Sequence, residues 1–172
     1  ALPTLTKWAH LTVENFLALI TDQHIFVSAG EKKRARIIKF LDEENSIIIH
    51  NGVDHNYICN LSVNRNAVFK SIGCEDWENN KIIGTLSRIS PEKGILDLIS
   101  AISKTIQEIP HLRLIIVGGY PKEHTGYYLQ VKKLIEKENL AEHVRILGYR
   151  QDAIQILKCM DFYISSSLSE GL

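Results

Sequence analysis

Four short apolar runs, Ile82–Leu86, Leu112–Val117, Val144–Leu147 and Phe162–Ser165, limit most tightly what this chain can fold into. The segments between them carry apolar residues at helical spacing. Ile95, Leu98, Ile99, Ile102 and Ile106 share one face of a helix expected over 95–107. Tyr128, Val131, Leu134 and Ile135 do the same over 125–138, and a shorter helix fits 153–159. Antiparallel strands can be joined by tight turns, whereas parallel strands need crossovers of this length. Strand and helix alternating in this way predict an α/β chain, a doubly wound parallel sheet with right-handed crossovers.

In such a sheet, loops that can hold a ligand lie at the carboxyl ends of the strands. Here they are Ser87–Gly94, Gly118–Glu123, Gly148–Gln151 and Ser166–Leu172. The first brings Arg88 and Lys93, the second Gly118 and Gly119, the third Tyr149 and Arg150, and the last Ser167, Glu170 and Gly171. An apolar run with Gly84, a small-residue loop from Ser87, two cations and a helix start form a layout that holds an anion. Ordinary solubilising charges on a βα loop would read the same way. Glu170 could equally be a helix-start carboxylate serving the helix dipole.

Four stretches in order narrow the choice: Arg88-Ile-Ser-Pro-Glu-Lys-Gly94, Leu112-Arg-Leu-Ile-Ile-Val-Gly-Gly119, Val144-Arg-Ile-Leu-Gly148 and Ser167-Leu-Ser-Glu-Gly-Leu172. Together they resemble the donor-binding half of the large retaining glycosyltransferase family that includes sucrose, mannosyl and many lipopolysaccharide transferases. The resemblance is strongest over 81–172 and weaker over 21–54. It implies a GT-B type protein with two facing Rossmann-like domains, of which this is a partial chain. Residues 1–54 would be the end of the acceptor-side domain, 55–80 a linker, and 81–172 a truncated nucleotide-sugar domain. The implied reaction moves a hexose from a UDP-, GDP- or ADP-sugar to the hydroxyl of a glycan, lipid or small-molecule acceptor, with retention and without a further cofactor.

By the same resemblance, Arg88 and Lys93 match the cationic pair on the donor's distal phosphate. Arginine's planar fork suits two phosphate oxygens, and lysine is a mobile point charge. Glu170 matches the first of the family's paired glutamates, beside the transferred sugar; the second would fall past Leu172. Contacts to the donor are expected at Gly84, Ser87, Gly118, Gly119, Tyr149, Arg150, Ser167 and Gly171. Ser166 and Leu172 stand where Pro and Phe are common. Two rivals stay open: a nucleotide-sugar epimerase of the same architecture and a non-catalytic nucleotide-sugar binding module.

Twenty basic residues balance twenty acidic ones. No global field therefore attracts nucleic acid or an anionic membrane, and anion recognition must be local. No Asp-x-Asp motif exists, and the acidic run Asp42-Glu43-Glu44 lies in the other half, so no divalent metal is expected in the donor site. The seven His residues are scattered, and His50 and His55 read as turn residues. Cys59, Cys74 and Cys159 share no metal-type spacing and read as reduced thiols of a cytoplasmic protein. No run approaches the ~20 apolar residues that span a bilayer, which leaves only peripheral membrane contact of the full-length protein. The absence of an initiator Met and the stop just after Gly171 suggest a piece of something longer.

The first fifty residues predict a helix over 4–20, with Leu5, Trp8, Leu11, Phe16, Leu17 and Ile20 packed on a neighbouring layer. A strand over Asp22–Val27 follows, then a Ser28-capped helix over Ala29–Leu41 with a basic face, and a strand at Ile47–Ile49. His50-Asn-Gly-Val-Asp54 reads as a turn. The Asn-rich stretch 55–80 predicts loops around one short helix near Val63–Ile72.

Overall fold

A computed structural model describes residues 4–38, 41 and 44–168. The chain forms two compact units, the first ending at Asp54 and the second beginning at His55.

The first unit runs α1 (Thr4–Leu19), β1 (His24–Phe26), α2 (Ala29–Ala35) and β2 (Ser46–Ile48), with β1 and β2 paired in parallel. A reciprocal cap starts α2. The Ser28 hydroxyl accepts from Glu31 N at 3.1 Å, and the Glu31 carboxylate accepts from Val27 N at 2.9 Å. The helix ends at Ala35 rather than Leu41. Its final bonds tighten to Arg36 N→Lys33 O and Ile38 N→Ala35 O, where the β-branched pair Ile37-Ile38 disfavours continuation. Along α1, Trp8, Phe16 and Ile20 stay exposed, contrary to the expected packing. Two short strands and one short helix offer this unit too little surface to cover that stripe.

The second unit opens with α3 (His55–Asn60), α4 (Arg65–Ser71) and a 3₁₀ turn at Glu75–Trp77. It continues β3 (Lys81–Leu86), α5 (Ile95–Glu108), β4 (Leu112–Val117), α6 (Thr125–Lys137), β5 (Val144–Gly148), α7 (Ala153–Lys158) and β6 (Phe162–Tyr163). The sheet order is β5-β4-β3-β6, parallel throughout. β4 is buried on both faces. Leu112, Leu114 and Ile116 pack with Ile95, Leu98, Ile99 and Ile102 of α5 and Val131 of α6, while Ile115 and Val117 pack with Phe69, Trp77 and Ile156. Alternate residues facing two helical layers explain its unbroken apolar sequence. Each such aliphatic side chain contributes about 1.5–3 kcal/mol by leaving water.

Residues 55–80 thus form part of this second layer. Asn64 caps α4 by accepting from Ala67 N at 3.1 Å. Phe69 and Trp77 are fully buried, and the guanidiniums of Arg145 and Arg113 sit 5.2 and 5.9 Å from the Trp77 ring centre. α3, expected as loop, is helical because Lys158 Nζ donates to the carbonyls of Ile58, Cys59 and Leu61 at 2.9, 3.2 and 2.7 Å. A cation on the last carbonyls of a helix is favourable. Asp161 ties β6 to β3, accepting from Ile82 N at 2.7 Å and from Arg65 Nη2 at 3.3 Å. β6 itself is shorter than the expected 162–165.

Candidate donor site

β4 lies on one side of β3 and β6 on the other, so the chain that moves outward from β3 through β4 to β5 crosses back to the far side of β3 for β6. The strand order thus reverses beside β3, and the carboxyl edge at such a switch point is the usual ligand position in an open α/β sheet. The loop after β3 is firmly held there. Ser87 N donates to Val117 O at 3.0 Å and Ile89 N to Gly119 O at 2.9 Å, and Ile89 and Ser90 are fully buried.

Pro91 then opens a 3₁₀ turn through Lys93, and Gly94 closes it at φ 60°, in the left-handed region. A methyl on Gly94 would strike the carbonyl of Ser166. Ser166 Oγ donates to Lys93 O at 2.8 Å, and Leu168 N donates to Glu92 O at 2.8 Å. The loops after β3 and β6 are therefore clamped together. On the other side, Gly118 has φ 147° and presses on the carbonyl of Ser87, where no side chain fits. Its N–H donates to Gly148 O at 2.8 Å.

Arg88 is two-thirds exposed, and its Nη2 lies 3.7 Å from Glu92 Oε1. Glu92 Oε1 also accepts a 2.6 Å hydrogen bond from Ser90 Oγ. The Ser90 hydroxyl and a backbone N–H hold the Glu92 carboxyl below its ordinary range despite some desolvation, with smaller help from His124 and Arg88. Lys93 is half-buried on the same turn. At the start of α5, Leu96 N donates to the Tyr127 hydroxyl at 3.2 Å, so one of the helix's free amides is already engaged.

Ser87, Arg88, Lys93, Gly118, Gly119 and Ser167 thus lie on the connected loops of this edge. Gly84 is elsewhere: it is buried within β3 beneath the Met160 thioether, where a methyl would collide, so it serves packing. Tyr149 is 80% exposed, its Cβ 3.8 Å from where a Gly119 side chain would begin. Arg150 gives Nε and Nη2 to the two Asp152 oxygens at 2.8 and 2.7 Å. This two-point pair raises the Arg150 pKa and lowers that of Asp152. Glu170 and Gly171 lie outside the described residues. Glu92, Ser90 and His124 belong to the edge but escaped the sequence reading. The i,i+4 spacing of Arg88 and Glu92 was the available signal. Among the described residues no group of three or more His, Cys, Asp or Glu is placed to hold a metal, and no helix is long and apolar enough to cross a membrane.

The fold is a parallel α/β sheet with its loops clamped at the switch point, and comparison with known proteins gives the family. Residues 74–172 match the model described as Glycosyl transferases group 1, and the chain belongs to that family. It is 30% identical over 96 residues to the uncharacterized glycosyltransferase MJ1059 of Methanocaldococcus jannaschii, covering 56% of this chain and 22% of that protein. It is 30% identical over 95 residues to the putative glycosyltransferase EpsD of Bacillus subtilis, covering 55% and 24%. Among solved structures, Anabaena HepE in complex with UDP and glucose superimposes with a TM-score of 0.81 at 26% identity, over 95% of this chain and 43% of that one. The fold is that of GT-B glycosyltransferases. The chain spans under a quarter of the curated relatives' length and under half of HepE.

Proposed function

We propose that the whole protein transfers a hexosyl group from a UDP-, GDP- or ADP-sugar to an acceptor hydroxyl with retention, in the synthesis of a polysaccharide, glycolipid or other glycoconjugate on the cytoplasmic side. The observation that carries this reading is the loop after β3, which bears Arg88 and Lys93 and is clamped at the switch point by the loops after β4 and β6. The similarity to HepE, solved with UDP and glucose, supports a nucleotide sugar as donor.

In this mechanism the bond between the anomeric carbon and the diphosphate oxygen breaks, and negative charge grows on that oxygen. Donors already aimed at the developing charge lower the barrier without reorganising. Arg88 and Lys93 take that role, and Glu170, which matches the first of the family's paired glutamates, is assigned to the transferred sugar. The acceptor oxygen attacks from the face the diphosphate leaves, and its proton passes to the departing phosphate. Gly119 lets the backbone approach the diphosphate, Ser167 offers a hydroxyl, and the Tyr149–Arg150 loop borders the nucleoside, whereas Gly118 packs on the Ser87 carbonyl and the Ser87 hydroxyl is buried.

Calorimetry of the whole protein with UDP, GDP and ADP against the matching nucleosides tests the site, and product analysis with and without acceptor tests the reaction. One diphosphate binding well above its nucleoside, with sugar found on the acceptor, is the expected result. A sugar altered in configuration with no acceptor present would instead make it an epimerase, and binding with no chemistry a binding module.

A further inference from the structure

Glu92 is a carboxylate kept where an anion is to be bound. Its Oε1 is 3.7 Å from Arg88 Nη2 and 2.6 Å from Ser90 Oγ. Ser90 is fully buried, and the Glu92 carbonyl accepts from Leu168 N at 2.8 Å, so both ends of this residue are fixed. Arg88, by contrast, is two-thirds exposed on a long flexible stem. The groups facing Glu92 are Arg88 and Ser90 from its own loop and His124 from the turn before α6. The pinned partner is therefore the anion and the mobile partner the cation. At 3.7 Å the pair lies beyond hydrogen-bond range, and exposed pairs of this kind are weak. A diphosphate, with several charged oxygens and a geometry that fits the guanidinium fork, can outcompete it.

We propose that Glu92 is a resident counter-ion for Arg88, which competes with the nucleoside diphosphate for the guanidinium and so loosens the product's hold and speeds its release. This rests on the donor-site reading above. Departure of product limits turnover in many enzymes, and two cations without a competing anion would retain a diphosphate longer. Glu92 takes back the guanidinium as the diphosphate leaves.

The test uses the whole protein and the variants Glu92→Gln, Glu92→Ala, Arg88→Ala and the double variant Glu92→Gln/Arg88→Ala. Each is titrated with UDP, GDP and ADP, and dissociation is followed by stopped flow. Glutamine keeps an acceptor for Ser90 and removes only the charge; alanine removes both. The expected result is two- to fivefold tighter diphosphate binding in both Glu92 variants, about the worth of an exposed ion pair, with slower dissociation. Binding of the free nucleoside stays unchanged, and the gain vanishes when Arg88 is absent. Unchanged or weaker binding in Glu92→Gln, or a gain that persists without Arg88, overturns the proposal. The donor-site reading fails on separate grounds, if the parent binds no diphosphate or Arg88→Ala binds as the parent does, and the counter-ion role then falls with it.

Discussion

Gly94 and Ser166 meet backbone to backbone, with no room for a methyl group between the Gly94 α-carbon and the Ser166 carbonyl. The Ser166 hydroxyl adds a 2.8 Å hydrogen bond to the carbonyl of Lys93. One residue type at position 94 thus fixes the distance between the loops after β3 and β6.

Gly94→Ala should therefore destabilise the second unit by about 1–3 kcal/mol, the cost of holding strained backbone at such a site, and should weaken diphosphate binding as well. Gly73→Ala is the comparison. Gly73 also has positive φ, at 67°, but nothing lies within 4 Å of an added Cβ, so only the conformational penalty remains. Denaturant titration of both variants checks this. Equal losses would mean that the Ser166 contact yields without cost.

Arg88→Ala should weaken nucleoside diphosphate binding by about 1.5–3 kcal/mol, the range for hydrogen bonds to charged groups, and Lys93→Ala by less. Lys104, exposed on α5, is the control. Arg150→Ala should stay within about 0.5 kcal/mol, because its Nε and Nη2 are spent on Asp152. Calorimetry on the four variants decides it. Similar small effects everywhere would return Arg88 and Lys93 to ordinary surface charges.

Asp161 links stability to pH. Burial pushes its carboxyl up, but the Ile82 N–H, Arg65 and Lys81 together outweigh this and hold it below the ordinary aspartate value. A depressed pKa contributes stability above the unfolded value, near 3.9, and that stability is lost as pH falls through the folded one. Asp161→Ala should cost about 1.5 kcal/mol at pH 7, at the low end for a partly exposed charged acceptor. Parent and variant should converge as pH falls through the depressed folded-state pKa. Denaturation midpoints across pH 2.5–7 would show it, and a constant gap would exclude the charge as the cause.

EDTA should leave diphosphate binding to the whole protein unchanged. The loops of this edge carry Arg88 and Lys93, and among the described residues no group of three or more His, Cys, Asp or Glu is placed to hold a metal. A strict need for Mg²⁺ or Mn²⁺, measured by calorimetry before and after chelation, would contradict the site as drawn.

The parallel sheet was legible chiefly through β4, which is buried on both faces. Leu112–Val117 has no polar alternation beyond Arg113 and is bounded by Pro110 and Gly118, so period and punctuation agree. What escaped depends on partners far along the chain. The carbonyls ending α3 are satisfied by Lys158, about a hundred residues away, and no local pattern in His55–Asn60 announces that. The early end of α2 was readable in Ile37-Ile38 but outweighed by the basic periodicity. At the donor edge, Arg88 stood out by type. Glu92 did not, because a carboxylate in a basic loop looks like solvation until Ser90 and Arg88 are seen on the same oxygen.

The burial of Trp77 has a consequence for anyone watching this protein unfold. The chain has two tryptophans, one in each unit; Trp77 is 1% exposed and Trp8 70%. An indole shielded from water emits at shorter wavelength than a hydrated one, so the two units carry separate optical labels. The blue component reports the layer of α4, α7 and the sheet, and its red shift marks the moment water reaches the face behind the donor edge. The emission of Trp8, already in water, stays nearly still through that transition.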